Sequence, residues 1–210
     1  RADFTYATGI AKLPRAENRT IDRVGRVRYL DLGFFRVRPD LNPTMGILRQ
    51  NLLWQLATLR EPSTHKRTYG HLLVLAGSDS MPGACLMATM AAANSGVGLV
   101  TAGTVKPVAR AGAIVQPEAM WAAVKSDDGA LHTGILGELK ARFDDFSAVL
   151  AGPGLGRSAS ALELVRTLVE TTAKPLILDA DGLFPGIEES LSRRPKDFPP
   201  VVLTPHPGEW

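Results

Sequence analysis

The chain has almost nothing with which to lock itself covalently: one cysteine in 210 residues. Cys85 therefore forms no internal disulfide, and its apolar surroundings assign it to core volume. A reducing, cytoplasmic location is the expectation. Aromatic residues are scarce, at 6%. The arginines Arg15, Arg19, Arg23, Arg26, Arg28, Arg36 and Arg38 are not interleaved with a base-stacking or groove-reading motif, which argues for a solvated face or a boundary with missing chain and against a nucleic-acid partner. No apolar run approaches the roughly 20 residues of a bilayer span, and Arg1 to Tyr6 lack the features of a signal peptide. No glycine-rich loop ends in Gly-Lys-Ser/Thr, so a Walker motif is excluded. An initiating methionine is missing and Thr204 to Trp210 read as a loop after a strand, so the expectation is a chain cut at both ends.

What is present describes a packed α/β protein. Hydrophobic residues make up 45% and charged residues 21%, near the globular average. The length suits one well-buried domain with an appendage. Residues 1–67 carry 13 Lys/Arg against 6 Asp/Glu, and the remainder 11 against 15, so the basic excess belongs to the N-terminal third. Residues 1–40 hold one strand-like run, Val27 to Phe35, too little to fold alone. Residues 41–63 read as a linker with a helix, where Leu48, Leu52, Leu53 and Leu56 fall at helical spacing and Pro62 lies beyond. The main domain is residues 64–210.

From His71 onward, short apolar strands alternate with helical segments. Strands are predicted at His71 to Ala76, Val97 to Ala102, Met120 to Val124, Ser147 to Ala151, Pro175 to Asp179 and Val201 to Thr204. Helices are predicted at Pro82 to Ser95, Val105 to Ala113, Leu131 to Phe143 and Ser160 to Thr172. Nearly continuous apolar strands separated by helices imply a mostly parallel sheet covered on both faces. The helix from Pro82 is small and apolar nearly all round and is expected to be buried. The one from Ser160 carries a Ser160/Glu163 capping-box pattern and a single apolar stripe, so it is expected to be half exposed.

Ligands of a parallel sheet collect beyond the carboxyl ends of its strands, and four loops there are unusual. Ala76 to Ala84 is small and polar and enters a helix, which suits either an anion at the helix N-terminus or a tight turn capped by Ser80. Gly152-Pro153-Gly154-Leu155-Gly156 leaves backbone bare beside a bulky ligand. In Asp179-Ala180-Asp181-Gly182 the carboxylates either engage a metal or ligand hydroxyl, or Asp181 caps a short helix. In Thr204-Pro205-His206-Pro207-Gly208-Glu209, two prolines hold the chain around an imidazole.

In this order the loops resemble the dehydratase domain of the NAD(P)H-hydrate repair enzymes, a branch of the ribokinase-like α/β fold. The resemblance covers residues 64–210 and runs through His65-Lys66, Tyr69-Gly70, Ala76-Gly77-Ser78, Gly83-Ala84, Ser95 to Leu99, Pro117-Glu118, Gly152 to Gly156, Asp179-Ala180-Asp181 and Thr204 to Glu209. Thr8-Gly9, Lys12, Gly25 and Leu30 to Gly33 resemble, more briefly, the closing strand of the epimerase domain that precedes the dehydratase in bifunctional members.

The resemblance implies ADP- or ATP-dependent dehydration of the S-epimer of hydrated NADH or NADPH (NADHX, NADPHX). A phosphoryl group passes to the ring hydroxyl and phosphate elimination restores the dihydropyridine. It implies Mg²⁺, substrate contacts at Ala84, Gly154 and His206, Glu209 as the acidic residue near the metal, and a homo-oligomer in the full-length protein. The family's Gly-Thr-Gly-Asp, whose aspartate acts as base, is expected beyond Trp210, so the catalytic residue is unassigned and these 210 residues alone are expected to show no turnover. Arg67, Gly182 and Phe184 depart from the family pattern. The alternatives are a ribokinase-like small-molecule kinase and a non-catalytic nucleotide-binding fragment.

Overall fold

Apolar segments three to seven residues long, separated by helix-forming stretches, build a six-stranded sheet between residues 71 and 203. The structure, a computed structural model, describes residues 2–8, 23–30, 32–33, 60–206 and 208. It divides into two compact units, Arg1–Leu59 and Arg60–Trp210.

In the first unit, β1 (Phe4–Thr8) pairs in parallel with β2 (Arg26–Leu30). Strand β1 carries no apolar alternation that predicts it from the sequence. The run expected as a strand from Val27 to Phe35 includes Gly33, whereas β2 ends at Leu30 and Gly33 takes φ 72°. Phe34, Phe35 and the leucine-rich segment expected as a helix lie outside the described residues.

The second unit contains β3 (His71–Leu75), α1 (Pro82–Asn94), β4 (Leu99–Val105), α2 (Lys106–Val115), β5 (Met120–Val124), α3 (Gly134–Leu139), β6 (Ala148–Ala151), α4 (Ala159–Thr171), β7 (Leu176–Leu178), α5 (Ile187–Arg193) and β8 (Val201–Leu203). The strand order is β5-β4-β3-β6-β7-β8, and every pair is parallel. This is the predicted α/β sheet. From β3 the chain steps outward through β4 to β5, crosses back to β6, then steps outward the other way. With right-handed crossovers, the two directions put α1 and α2 on one face and α4 and α5 on the other. In agreement, α1 touches α2 and α4 touches α5. Leu73, Leu75, Val149, Leu176 and Leu178 are fully buried between the layers with Leu164 and Leu168 of α4.

Several local expectations give way to tertiary contacts. Helix α1 buries only the Cys85, Thr89 and Ala92 stripe, while Met87 is 68% and Met90 46% exposed. Alanines and glycines made that helix look apolar on every face, yet a helix lying on a sheet needs only one buried stripe. Its N-cap is Met81 with no side-chain bond, so Ser80 does not cap it. At α4 the cap is Ser158, whose Oγ accepts from the Ala161 N–H at 3.3 Å, and the Ser160/Glu163 capping box does not form. The segment expected as one helix from Leu131 to Phe143 is α3 followed by a tighter 3₁₀ stretch, Lys140–Asp145. There Phe143 lies edge-on to Phe146 at 6.0 Å, and Phe146 edge-on to His71 at 4.6 Å. Helix α5 was not foreseen.

At the amino edge of the sheet, His71 and Arg194 are tied in by hydrogen bonds, while the buried Gln116 Oε1 ahead of β5 has no partner among the described residues. The His71 N–H donates to Ser147 Oγ at 3.1 Å, and its Nε2 lies 2.8 Å from Thr101 Oγ1. Burial, with Arg142 nearby, holds the His71 imidazole below its ordinary pKa. Under β7 and β8, Arg194 donates to the carbonyls of Val169 at 2.7 Å, Pro199 at 2.8 Å and Lys174 at 3.1 Å. Three helix and strand ends are thereby tied to one guanidinium.

Candidate functional site

The carboxyl edge is built differently. Neighbouring strands β3 and β6 send their chains to opposite sides here, the switch point at which parallel sheets open a crevice. The loop after β3 and the loop after β6 meet directly: the Gly77 N–H donates to the Pro153 carbonyl at 2.8 Å, and the Gly152 N–H to the Leu75 carbonyl at 3.2 Å. Gly154 sits at φ 67°, and a β-carbon there would lie 2.6 Å from the Ala84 Cβ and 3.0 Å from the Met81 carbonyl oxygen. Only glycine fits, by backbone conformation and by space. Gly83, at the start of α1, faces open space.

Beside this junction lies a cleft of about 400 Å³ lined by residues 78–80, 127–130 and 155–158. Its third wall, the loop after β5, was not singled out in the sequence. There Asp128 accepts from Ser126 Oγ at 2.8 Å, the Ala130 N–H at 3.1 Å and Ser160 Oγ at 2.8 Å. Those three donors pull its carboxyl pKa down to about 2, so it is ionised at any physiological pH. The only local hint was the Asp-Asp-Gly turn, which is too common to signal a site.

The expected site residues are distributed as follows. Ala84 and Gly154 abut each other. The cleft is walled by their chain neighbours, Ser78 to Ser80 and Leu155 to Ser158, rather than by those two residues themselves. His206 follows β8, two strands from β6 at the same edge, and its Nδ1 accepts from the Gly208 N–H at 3.0 Å. Glu209 lies outside the described residues.

Asp181 does not cap a helix. Its Oδ2 accepts from the Gly156 N–H at 2.9 Å, and its Oδ1 lies 3.8 Å from Arg157 Nε. Asp179 accepts from the Thr204 hydroxyl at 2.8 Å. Among the described residues no group of three or more His, Cys, Asp or Glu could hold a metal ion. Cys85 beneath the first loop is buried, and burial pushes its thiol up to about 11, so it is a packing residue without nucleophilic character.

A family model for NAD(P)H-hydrate dehydratase matches residues 72–210, from β3 through every loop just described. The chain belongs to the NAD(P)H-hydrate dehydratase family. It is 34% identical to a bifunctional NAD(P)H-hydrate repair enzyme from Salinibacter ruber, over all of this chain and 40% of that protein. It is 37% identical to an ADP-dependent (S)-NAD(P)H-hydrate dehydratase from Streptococcus pneumoniae, over 79% of this chain and 54% of that one. Among solved structures, a ribokinase-like superfamily protein from Enterococcus faecalis superposes with a TM-score of 0.63 at 26% identity, covering 78% of this chain and 54% of the other. The ADP/ATP-dependent NAD(P)H-hydrate dehydratase of Bacillus subtilis, co-crystallised with ATP/Mg²⁺, superposes with 0.53 at 37% identity over 73% and 50%. The chain thus spans about half or less of the length of these dehydratase-family relatives. No helix among the described residues is long and apolar enough to cross a membrane.

Proposed function

We propose that this chain forms the substrate side of an ADP- or ATP-dependent NAD(P)H-hydrate dehydratase acting on the S-epimer of NADHX and NADPHX. It belongs, in this reading, to a cytoplasmic, bifunctional repair protein whose epimerase domain ends in residues 1–40. Residues 41–63 are the linker, and 64–210 begin the dehydratase domain. The observation that carries the reading is the meeting of the β3 and β6 loops at the switch point, where Gly154 admits no side chain and Ala84 presents only a methyl group.

The chemistry explains why such a surface is useful. Hydroxide is a poor leaving group and phosphate a good one, so transferring a phosphoryl group to the ring hydroxyl makes elimination easy. The protein's task is then to hold that hydroxyl in line with the donor and keep competing water away. Gly154 lets the β6 loop close on α1 at Ala84, which sets the adjoining residues Ser78 to Ser80 and Leu155 to Ser158 around the cleft proposed to receive the nicotinamide nucleotide, and His206 is proposed as a contact farther along the same edge. The family implies Mg²⁺, and Glu209 is the residue proposed to meet it. The described residues present no set that fits the ion, and no step here runs through it. A homo-oligomer of the full-length protein is part of the same proposal.

Isothermal titration of the chain with hydrated and with intact NADH tests the reading. Saturable heat with the hydrate and markedly weaker binding of intact NADH is the expected result. Equal affinity for both, or for neither, rejects it.

A further inference from the structure

Ala84 and Gly154 touch, but His206 stands two strands away, and something must set the distance between them. The connection is the turn after β7. Asp179 and Asp181 flank Ala180, which has φ 50° and is the one non-glycine residue with positive φ among the described residues. A left-handed conformation at a residue with a β-carbon costs conformational energy and persists only where its surroundings demand it. Here it separates the two carboxylates. Asp181 turns to the β6 loop and takes the Gly156 N–H at 2.9 Å, two residues beyond Gly154. Asp179 turns to the β8 loop and takes the Thr204 hydroxyl at 2.8 Å, two residues before His206.

The backbone of the turn is equally committed. A β-carbon on Gly152, at φ 131°, would overlap the Asp179 carbonyl oxygen, and one on Gly182 would lie 2.9 Å from the Ala151 carbonyl oxygen. The Asp179 N–H also donates to Ala151 at 3.2 Å. The Asp181 side chain is only 21% exposed, while the Asp179 arm to Thr204 lies at the surface, so the turn is a brace that spans the two loops from a half-buried anchor to an exposed one.

We propose that Asp179 and Asp181 are positioning residues. They fix the separation of the Gly154 and His206 loops through the strained Ala180 turn, and so preorganise the rim for a nicotinamide nucleotide; they do not hold a metal. The proposal rests on the reading of Gly154 and His206 as substrate contacts. A preformed rim binds more tightly because ordering it costs nothing at the moment of binding.

The test is titration of hydrated NADH into the full chain and its variants, with melting temperatures and amide exchange at Gly156. Asp181→Ala should weaken binding about tenfold and speed exchange at Gly156, since it removes one charge-assisted hydrogen bond. Asp181→Asn keeps an oxygen for the Gly156 N–H and should bind as the wild type does, because the Arg157 guanidinium is largely exposed and stands 3.8 Å away, so its pairing is worth little. Thr204→Val should lose about threefold through the other arm. Ala180→Gly is the discriminating variant: it should leave the melting temperature equal or higher, because glycine relieves the strain, yet weaken binding about threefold by loosening the turn.

A purely structural role predicts no loss of affinity in Ala180→Gly. If the wild type binds and Ala180→Gly binds as well, the brace is overturned while the functional reading stands. Asp181→Asn as weak as Asp181→Ala also overturns it. If the wild type binds no hydrated NADH, the functional reading falls and the brace, as a substrate-positioning device, falls with it. Should Asp181→Ala fail to fold, Ala180→Gly and Asp181→Asn decide alone.

Discussion

The two edges of the same six-stranded sheet are finished by opposite means. At the amino edge, large side chains close the structure: His71 against Phe146 and Thr101, and Arg194 across three carbonyls. At the carboxyl edge, backbone meets backbone through Gly77, Gly152 and Gly154, and the cleft beside them is lined by small and charged residues. The first arrangement maximises packing and satisfied polar groups, which is what stability requires. The second leaves reachable backbone and preset loops, which is what ligand binding requires. The contrast teaches that stability and binding should separate by edge under mutation.

The largest effect is expected for Gly154→Val. Its φ of 67° and the fixed Met81 carbonyl 3.0 Å from the added β-carbon should cost about 2 kcal/mol of stability and reduce binding of hydrated NADH at least about a hundredfold. Denaturant unfolding and titration read the two numbers. Arg194→Ala is the counterpart at the other edge: it leaves three part-buried carbonyls without this donor and should cost about 2 kcal/mol, with the affinity of the folded protein unchanged. If Arg194→Ala weakened binding as much as Gly154→Val, the separation by edge would be broken.

Ser158→Ala lies between the two, since Ser158 both caps α4 and lines the cleft. It should cost about 1 kcal/mol in unfolding experiments and a measurable, smaller loss of affinity. The smallest effect is a pH dependence from the amino edge. His71 has a lowered pKa, so between its folded value and its ordinary 6.5 the unfolded chain binds more protons. Its contribution is present above pH 6.5 and is lost on acidification toward the folded value. The melting temperature should therefore fall as pH drops below 6.5, and His71→Leu should flatten that part of the profile.

The core was legible because it depends on local pattern. Runs such as His71 to Leu75 and Val149 to Ala151 are apolar enough to identify strands buried on both faces, and their alternation with helices implied a parallel sheet. Glycine and proline marked the β6 and β8 loops for the same reason. What stayed hidden depends on residues far apart in the chain. Asp181 reaches Gly156 across 25 positions and Asp179 reaches Thr204 across 25, while Ser160 is drawn to Asp128 across 32. That last bond removes Ser160 from the capping role its local pattern suggested. Neither α5, short and charged, nor β1, a five-residue strand, had a periodicity strong enough to declare it.

The most direct test of the account is a residue-resolved amide hydrogen-exchange footprint of hydrated NADH on this chain. The account predicts ligand-dependent protection across Gly77 to Ala84 and Gly152 to Ser158, with Tyr69 to His71 and Ser147 unchanged. Protection centred on the amino edge, or none along the carboxyl edge at saturating ligand, would contradict it.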